Sequence, residues 1–248
     1  MNKQTVINHP HSEERKKRLK QLFYEMFCIM IICSIIGCGI EMVFCRITNG
    51  YWESRTSLVY GPFGLAYGIG GVLLSLLLLN DKDASVPKVF IKAFFWCSVA
   101  EYIMSLGEEL VFHHVSWDYS EMPLNINGRV CFLYSLFWGV LGLAWAKFIY
   151  PGFKSLLSKI PPKPGQIIYI IMLIFFIYDC FISVEATVRY NARQDGIVAK
   201  NSYEQLLDKQ FPDKYMETVF ANAMNVDEDG NVSETNLAGN TTDYIPQK

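Results

Sequence analysis

Five apolar runs limit what this chain can fold into. Each is about the 20 residues that a helix needs to cross the hydrocarbon core of a bilayer. They run from about Leu22 to Phe44, Tyr60 to Leu79, Phe90 to Phe112, Val130 to Ile149 and Gln166 to Val188. The second lies inside an uncharged stretch from Thr56 to Asn80. None alternates at period two, which argues against a transmembrane barrel. The first is too long for a signal peptide, and no small-x-small cleavage site follows it. The expected fold is an all-α integral membrane protein, a bundle of about five transmembrane helices with a polar, partly helical C-terminal tail.

Charge placement divides the chain. Charged residues are 19% of the 248, against roughly 25% in a soluble domain. The net charge of −2 excludes a basic nucleic-acid-binding domain. Residues 1–21 hold six Lys/Arg and two Asp/Glu; residues 190–248 hold five and ten. The expected organisation is a basic cytoplasmic head (1–21), a five-helix membrane domain (22–189), an extracytoplasmic amphipathic tail (190–225) and a disordered end (226–248). Loops rich in Lys/Arg stay inside. The head, the loop with Lys82, Lys88 and Lys92, and the loop with Lys147, Lys154, Lys159 and Lys163 are therefore read as cytoplasmic. That puts the N-terminus in and the C-terminus out. If the Gly-rich second span is re-entrant instead, the tail moves inside.

Charged side chains within a bilayer cost about 2.5–3.5 kcal/mol each on insertion scales and tend to mark function. Under this topology they gather at the outer ends of the spans. The candidates for a polar pocket are Glu41, Arg55, Tyr60, Tyr67, Glu101, Glu108, Trp117, Asp118, Tyr119, Asn125, Asn127, Arg129 and Asp179. Glu101, Ser105 and Glu108 fall at i, i+4 and i+7, on one helix face. Buried carboxylates want partners, and Arg55, Arg129 and Arg189 are the guanidiniums at hand. A structural ion-pair network that fixes helix packing is the competing reading.

Gly64, Gly68 and Gly71 in the second span suit close helix packing. A broken helix whose freed backbone lines a site is the alternative. No GxxxxGK[ST] phosphate loop occurs. Glu109, His113 and His114 are spaced suggestively for a metal, but adjacent histidines point to different helix faces, so no metal or cofactor is assigned. Six of seven cysteines lie within spans, which suits packing rather than a disulfide framework. The run DEDGNVSE does not fit a calcium loop and is read as a solvated turn.

The strings ESRTSLVYGPFGLAYG (53–68) and WDYSEMPLNINGRVCFLYSLFWG (117–139) resemble the bacterial ABC-transporter permease family, type IV, also called CmpB-like. The resemblance is carried by Arg55, Gly61, Pro62, Tyr67 and Gly68, by Glu101 and Tyr102, and by Trp117 to Ser120. Pro123, Asn125, Asn127, Gly128, Arg129, Trp138 and Gly139 complete it. It extends upstream to Glu41 and downstream to Asp179 and Ser183, and the tail string LLDKQFPDKYM (206–216) also looks family-like, so that it covers most of residues 25–225. His113 and His114 lie outside the family pattern, and Ser116 stands where members often carry a second Trp. Membership implies a bacterial plasma-membrane component of an ABC transport system. A separate ATPase subunit or homo-oligomerisation would then complete it, with membrane lipids around it. Two other readings stay open: a non-catalytic accessory or assembly subunit, and an outer-leaflet enzyme acting on an anionic lipid-like substrate.

Overall fold

The computed structural model describes residues 10–79, 81, 84–227 and 229–240. Residues 1–9 of the head, Asn80, Lys82, Asp83, Glu228 and residues 241–248 lie outside this set. Among the described residues four helices are long and apolar enough to span a bilayer. They are α1 (Pro10–Thr48), α3 (Val86–Phe112), a continuous rod from Phe132 to Ser158, and α6 (Pro162–Gln194). The fold is an all-α membrane bundle with almost no sheet. The rod joins α4 (Phe132–Ala144) to α5 (Tyr150–Ser158) through a π-helical turn, Trp145–Ile149. That wide turn lies just ahead of Pro151, whose ring clashes with the carbonyl four residues back. At 39 residues, α1 is on the order of 60 Å long, so the basic head continues the first span as helix.

The second span departs from expectation. Its helix, α2, covers only Leu65–Leu78, 14 residues. That is roughly 21 Å, short of the ~30 Å hydrocarbon core. Residues 60–64, expected to be helical, are unwound. The cause is local: a residue before proline avoids the α region, and Gly61, which precedes Pro62, takes φ +73.

An unwound backbone at this depth needs partners for its polar groups. The neighbouring helices supply them. The Val59 N–H donates to Ser183 Oγ at 2.8 Å, and the Tyr60 N–H to Asp179 Oδ1 at 3.1 Å. Gly64 N–H reaches the Ser34 carbonyl in the middle of α1 at 3.1 Å. Ser57 closes the loop, accepting from Leu65 N–H at 3.0 Å. The helix that follows packs tightly against α1. A Cβ on Gly68 would sit 2.2 Å from Ser34 Oγ and 2.8 Å from the Met30 carbonyl.

After α6 the chain forms α7 (Ser202–Gln210), α8 (Asp213–Val219) and β4 (Met224–Asn225). Asn201 caps α7 by accepting from Glu204 N–H, and the Glu204 carboxylate accepts from Lys200 N–H. Strand β4 pairs antiparallel with β1 (His114–Val115) just past α3. Tyr215 donates to the Val59 carbonyl, and Ser54 and Thr56 both donate to the Val219 carbonyl. Leu207, Phe211 and Met216 bury against Ile182, Ala186 and Tyr190 of α6. The C-terminal segment therefore covers the end of the bundle where α1, α3 and α6 finish, here called the tail end. The opposite, lysine end holds an apolar core of Met26, Ile29, Leu78, Val89 and Tyr150. There Asp81 is gripped by Lys88 and Lys92.

Of the segment 226–248, expected to be disordered, residues 226–227 and 229–240 fold back on the bundle, and the others lie outside the described residues. Asp227 closes a turn by accepting from Asp229 N–H and Asn231 N–H. Val226 bridges Val232. Asn236, 7% exposed, donates to Glu53 at 2.5 Å, and Asn240 donates to the same oxygen. The polar composition signalled solvation, but these amides serve a buried carboxylate.

Candidate functional site

Four polar clusters occupy the tail end. The first lies between α1, the loop after it and α2. Arg55, 6% exposed, binds Glu53 at 2.7 Å and Glu41 at 3.4 Å. Tyr67 donates to the other Glu41 oxygen at 2.6 Å. Glu53 is fixed from behind by Asn236 and Asn240. Three candidates, Glu41, Arg55 and Tyr67, thus come together, with Glu53 as a partner that helical spacing did not select.

The second cluster surrounds Glu101 on α3, which is 7% exposed. Trp138 Nε1 of α4 donates to Oε2 at 3.0 Å, and the Tyr119 hydroxyl donates to Oε1 at 3.3 Å. Both donors are neutral. Among the described residues no Lys, Arg or His forms a salt bridge with Glu101. Tyr119 stacks on Tyr134, with ring centroids 4.7 Å apart. Tyr134 lies within electrostatic reach of both Glu101 and Glu41, so it joins the first two clusters. Neither Tyr134 nor Trp138 was among the candidates, although Trp138 stands in the string that carries the family resemblance.

The third cluster caps α3. Arg129 binds Glu109 at 2.5 Å, lies 3.3 Å from Ser105 Oγ and sits over the Tyr102 ring. Asn127 donates to the Tyr102 hydroxyl, and Trp117 Nε1 donates to the Arg129 carbonyl. Glu108 accepts from Ser116 N–H and, like Glu101, has no salt bridge among the described residues. The remaining loop candidates hold the loop together. Asp118 accepts from Ser120 N–H and Oγ; Asn125 accepts from Gly128 N–H and donates to the Ser120 and Met122 carbonyls. They shape the hairpin of β2 (Asn125–Ile126) and β3 (Val130–Cys131). Its turn needs two successive left-handed residues, Asn127 and Gly128.

The fourth cluster is Asp179 and Tyr60. Asp179 is fully buried, and its Oδ1 supports the unwound segment through Tyr60 N–H and Ser183 Oγ. Its Oδ2 has no hydrogen-bond partner. Tyr60 stacks on Tyr178, and its hydroxyl accepts from Gln210 of the tail.

Each expected arginine therefore has an acidic partner, but not Glu101, Glu108 or Asp179. Arg189 shares a helix face with Glu185 by spacing, yet it turns to Asp208 of α7. There it makes a two-pronged bond at 2.8 and 2.9 Å. Arg193 adds a third bond to Asp208 at 2.7 Å. The guanidinium of Arg189, and then that of Arg193, holds the Asp208 carboxyl below the usual carboxylate range. The histidines do not converge with Glu109. His113 ends α3 in the left-handed conformation, and His114 lies in β1, stacked on Phe112. Burial, and then the neighbouring His113, pushes the His114 imidazole down to about 4.

What distinguishes the first two clusters chemically is the charge balance. Around Arg55 two acids share one cation. Around Glu101 an acid is met only by neutral donors. Such a set can receive a positively charged or hydrogen-bond-donating group. No curated protein and no solved structure matches the chain. A family model does match, over residues 28–184. It spans the first four clusters' helical residues from Glu41 to Asp179 and stops before the tail. With that match the chain belongs to the family described as "Putative ABC-transporter type IV", and it is a multi-pass membrane, transport-related component.

Proposed function

We propose that this chain is the membrane-embedded, permease-like part of an ABC-type transport system, and that it admits a small cationic solute from the tail end. Glu101 carries the reading. It is a buried carboxylate with two neutral donors and, among the described residues, no salt bridge to a cation. Leaving an ionised carboxylate in a spanning helix unpaired is costly, so a cationic ligand would stabilise it more than a purely structural role requires. Glu41 and Tyr134 extend the site, and Arg55 holds Glu41 in place. A half-unwound span beside a polar site is also the arrangement that transporters use at their binding sites. The basic head and the lysine loops support a cytoplasmic lysine end, next to which a separate ATPase would dock; the tail would then face outward.

The test is ligand-induced thermal stabilisation of the purified protein with small primary and quaternary ammonium compounds, against neutral sugars and carboxylates. Stabilisation by ammonium compounds in the wild type, lost in Glu101→Gln, is expected. Equal response of the two proteins would sink the reading. Orientation is tested by placing a cysteine at Ser233 and labelling intact cells with a membrane-impermeant maleimide; failure to label would reverse the topology.

A further inference from the structure

A cavity lies beside the Arg129 cluster, on the lipid side of α3 and α4. It has a volume of about 340 Å³. Its walls are Phe94, Phe95, Val99, Ile103 and Phe132, roofed by Leu124 and Ile126 of the β2–β3 hairpin. The only hydroxyls in its floor are already satisfied. Ser98 Oγ and Ser135 Oγ lie 2.7 Å apart, and each also reaches the carbonyl four residues back in its own helix turn. The groove thus offers only hydrocarbon along its length.

One end is different. There the Tyr102 hydroxyl accepts from Asn127, leaving its own proton free to donate among the described residues. Arg129 stands over the Tyr102 ring with its charge already matched by Glu109. A groove with an apolar body and a neutral hydrogen-bonding end fits an amphiphile that is neutral at its junction. Both helices that form it are spanning helices, so hydrocarbon chains of the bilayer surround it. Leu124 and Ile126, 76% and 59% exposed, extend the hairpin over the groove with apolar side chains toward the lipid.

We propose that this groove is a specific glycerophospholipid site. One acyl chain lies between α3, α4 and the hairpin, and the ester oxygens meet Tyr102 and Asn127. The site does not depend on the solute reading above, because it shares no acid with it. It gives the exposed hairpin a reason to be apolar: the hairpin clasps a lipid rather than facing water.

The test uses the full chain in lipid nanodiscs doped with a phosphatidylcholine that carries a diazirine in the middle of one acyl chain. Photolysis and peptide mapping compare Phe95, Ile103 and Phe132 with Ile171 and Ile174. The latter two are equally exposed on α6, at 60% and 64%, but line no groove. Severalfold enrichment at the groove is expected; equal yields on both faces would overturn the proposal. Val99→Trp fills the groove from its lipid-facing wall and should lower the groove yield to the α6 level. An unchanged yield in that variant would also overturn it. Phosphatidylglycerol should label as well as phosphatidylcholine, since Arg129 is already paired; a strong preference for the anionic lipid would overturn the assignment of ester oxygens to the polar end.

Discussion

At the lysine end, Asp81 meets two ammonium groups, Lys88 and Lys92. At the tail end, Glu101 meets a tyrosine and a tryptophan. The first acid has more cation than it needs, and the pair of lysines holds its carboxyl below the ordinary value. The second has none. At the tail end Asp208 is clamped in the same way by Arg189 and Arg193 of α6. The difference separates acids that stitch elements together from an acid that is held ready by neutral donors. Balanced acids fix structure; an unbalanced buried acid is where a ligand can contribute what the protein withholds.

The contrast between the two ends should show most strongly at Asp208. Asp208→Ala leaves Arg189, 6% exposed, without its carboxylate. Asp208 is only half-buried, so the cost falls on the docking of α7 against α6 rather than on the whole fold. The variant should release α7, measured as faster amide exchange over residues 202–210, while the family-matched bundle keeps its exchange pattern. If exchange in α7 is unchanged, Asp208 is not a stitch.

The next effect is a pH dependence at His114. Its folded value, about 4, lies below the ordinary 6.5. The folded state therefore holds it neutral while the unfolded chain takes up a proton. Stability is full above 6.5 and is lost progressively as pH falls toward 4. The ceiling is about 3 kcal/mol, and the loss should appear first in the β1–β4 pair. His114→Phe should flatten that dependence in amide exchange at residues 224–225; a persistent dependence would put the titrating group elsewhere.

Gly68→Ala tests the close approach of α2 to α1. The added methyl meets a backbone carbonyl, which cannot yield as a side chain can. Overpacking of this kind costs about 1–3 kcal/mol, read as a fall in Tm in detergent. A neutral result would mean that α2 can shift without loss. Glu101→Gln should then cost about 1 kcal/mol or less, since an amide oxygen still accepts one of the two donors; its effect belongs in ligand response, not in Tm. Asp81→Asn should have the smallest effect, because both of its lysines reach water and can be solvated without it. If Asp81→Asn proved more damaging than Asp208→Ala, the ranking of the two ends would be reversed.

Much of the bundle was legible in the amino-acid order because length and hydropathy of a run are enough to define a spanning helix. The runs from Leu22, Phe90, Val130 and Gln166 each became one. The run from Tyr60 did not, because an apolar count is blind to conformation. Gly61 and Pro62 are as apolar as a helix needs and still forbid one. The candidate site was legible in part for a related reason. Helical spacing can place Glu101 beside Ser105 and Glu108, but it cannot see across elements. The partners that decide each charge, Glu53 for Arg55, Asp208 for Arg189 and Trp138 for Glu101, lie in loops, tail or another helix. The tail's polar end was misleading in the same way. Composition describes average solvation, whereas Asn236 and Asn240 act through two particular hydrogen bonds.

Those two asparagines have a consequence for biosynthesis. Chains emerge from the ribosome N-terminus first, at about 5–20 residues per second. Arg55 and Glu53 are made early, yet the amides that fix Glu53 come some 180 residues later in the order of synthesis. For tens of seconds, on that rate, the helices can already be inserted while the Arg55 cluster lacks its backing. The Arg55 cluster is thus completed only by the tail, and a ribosome that stops short of Asn236 leaves Glu53 without the amides that fix it.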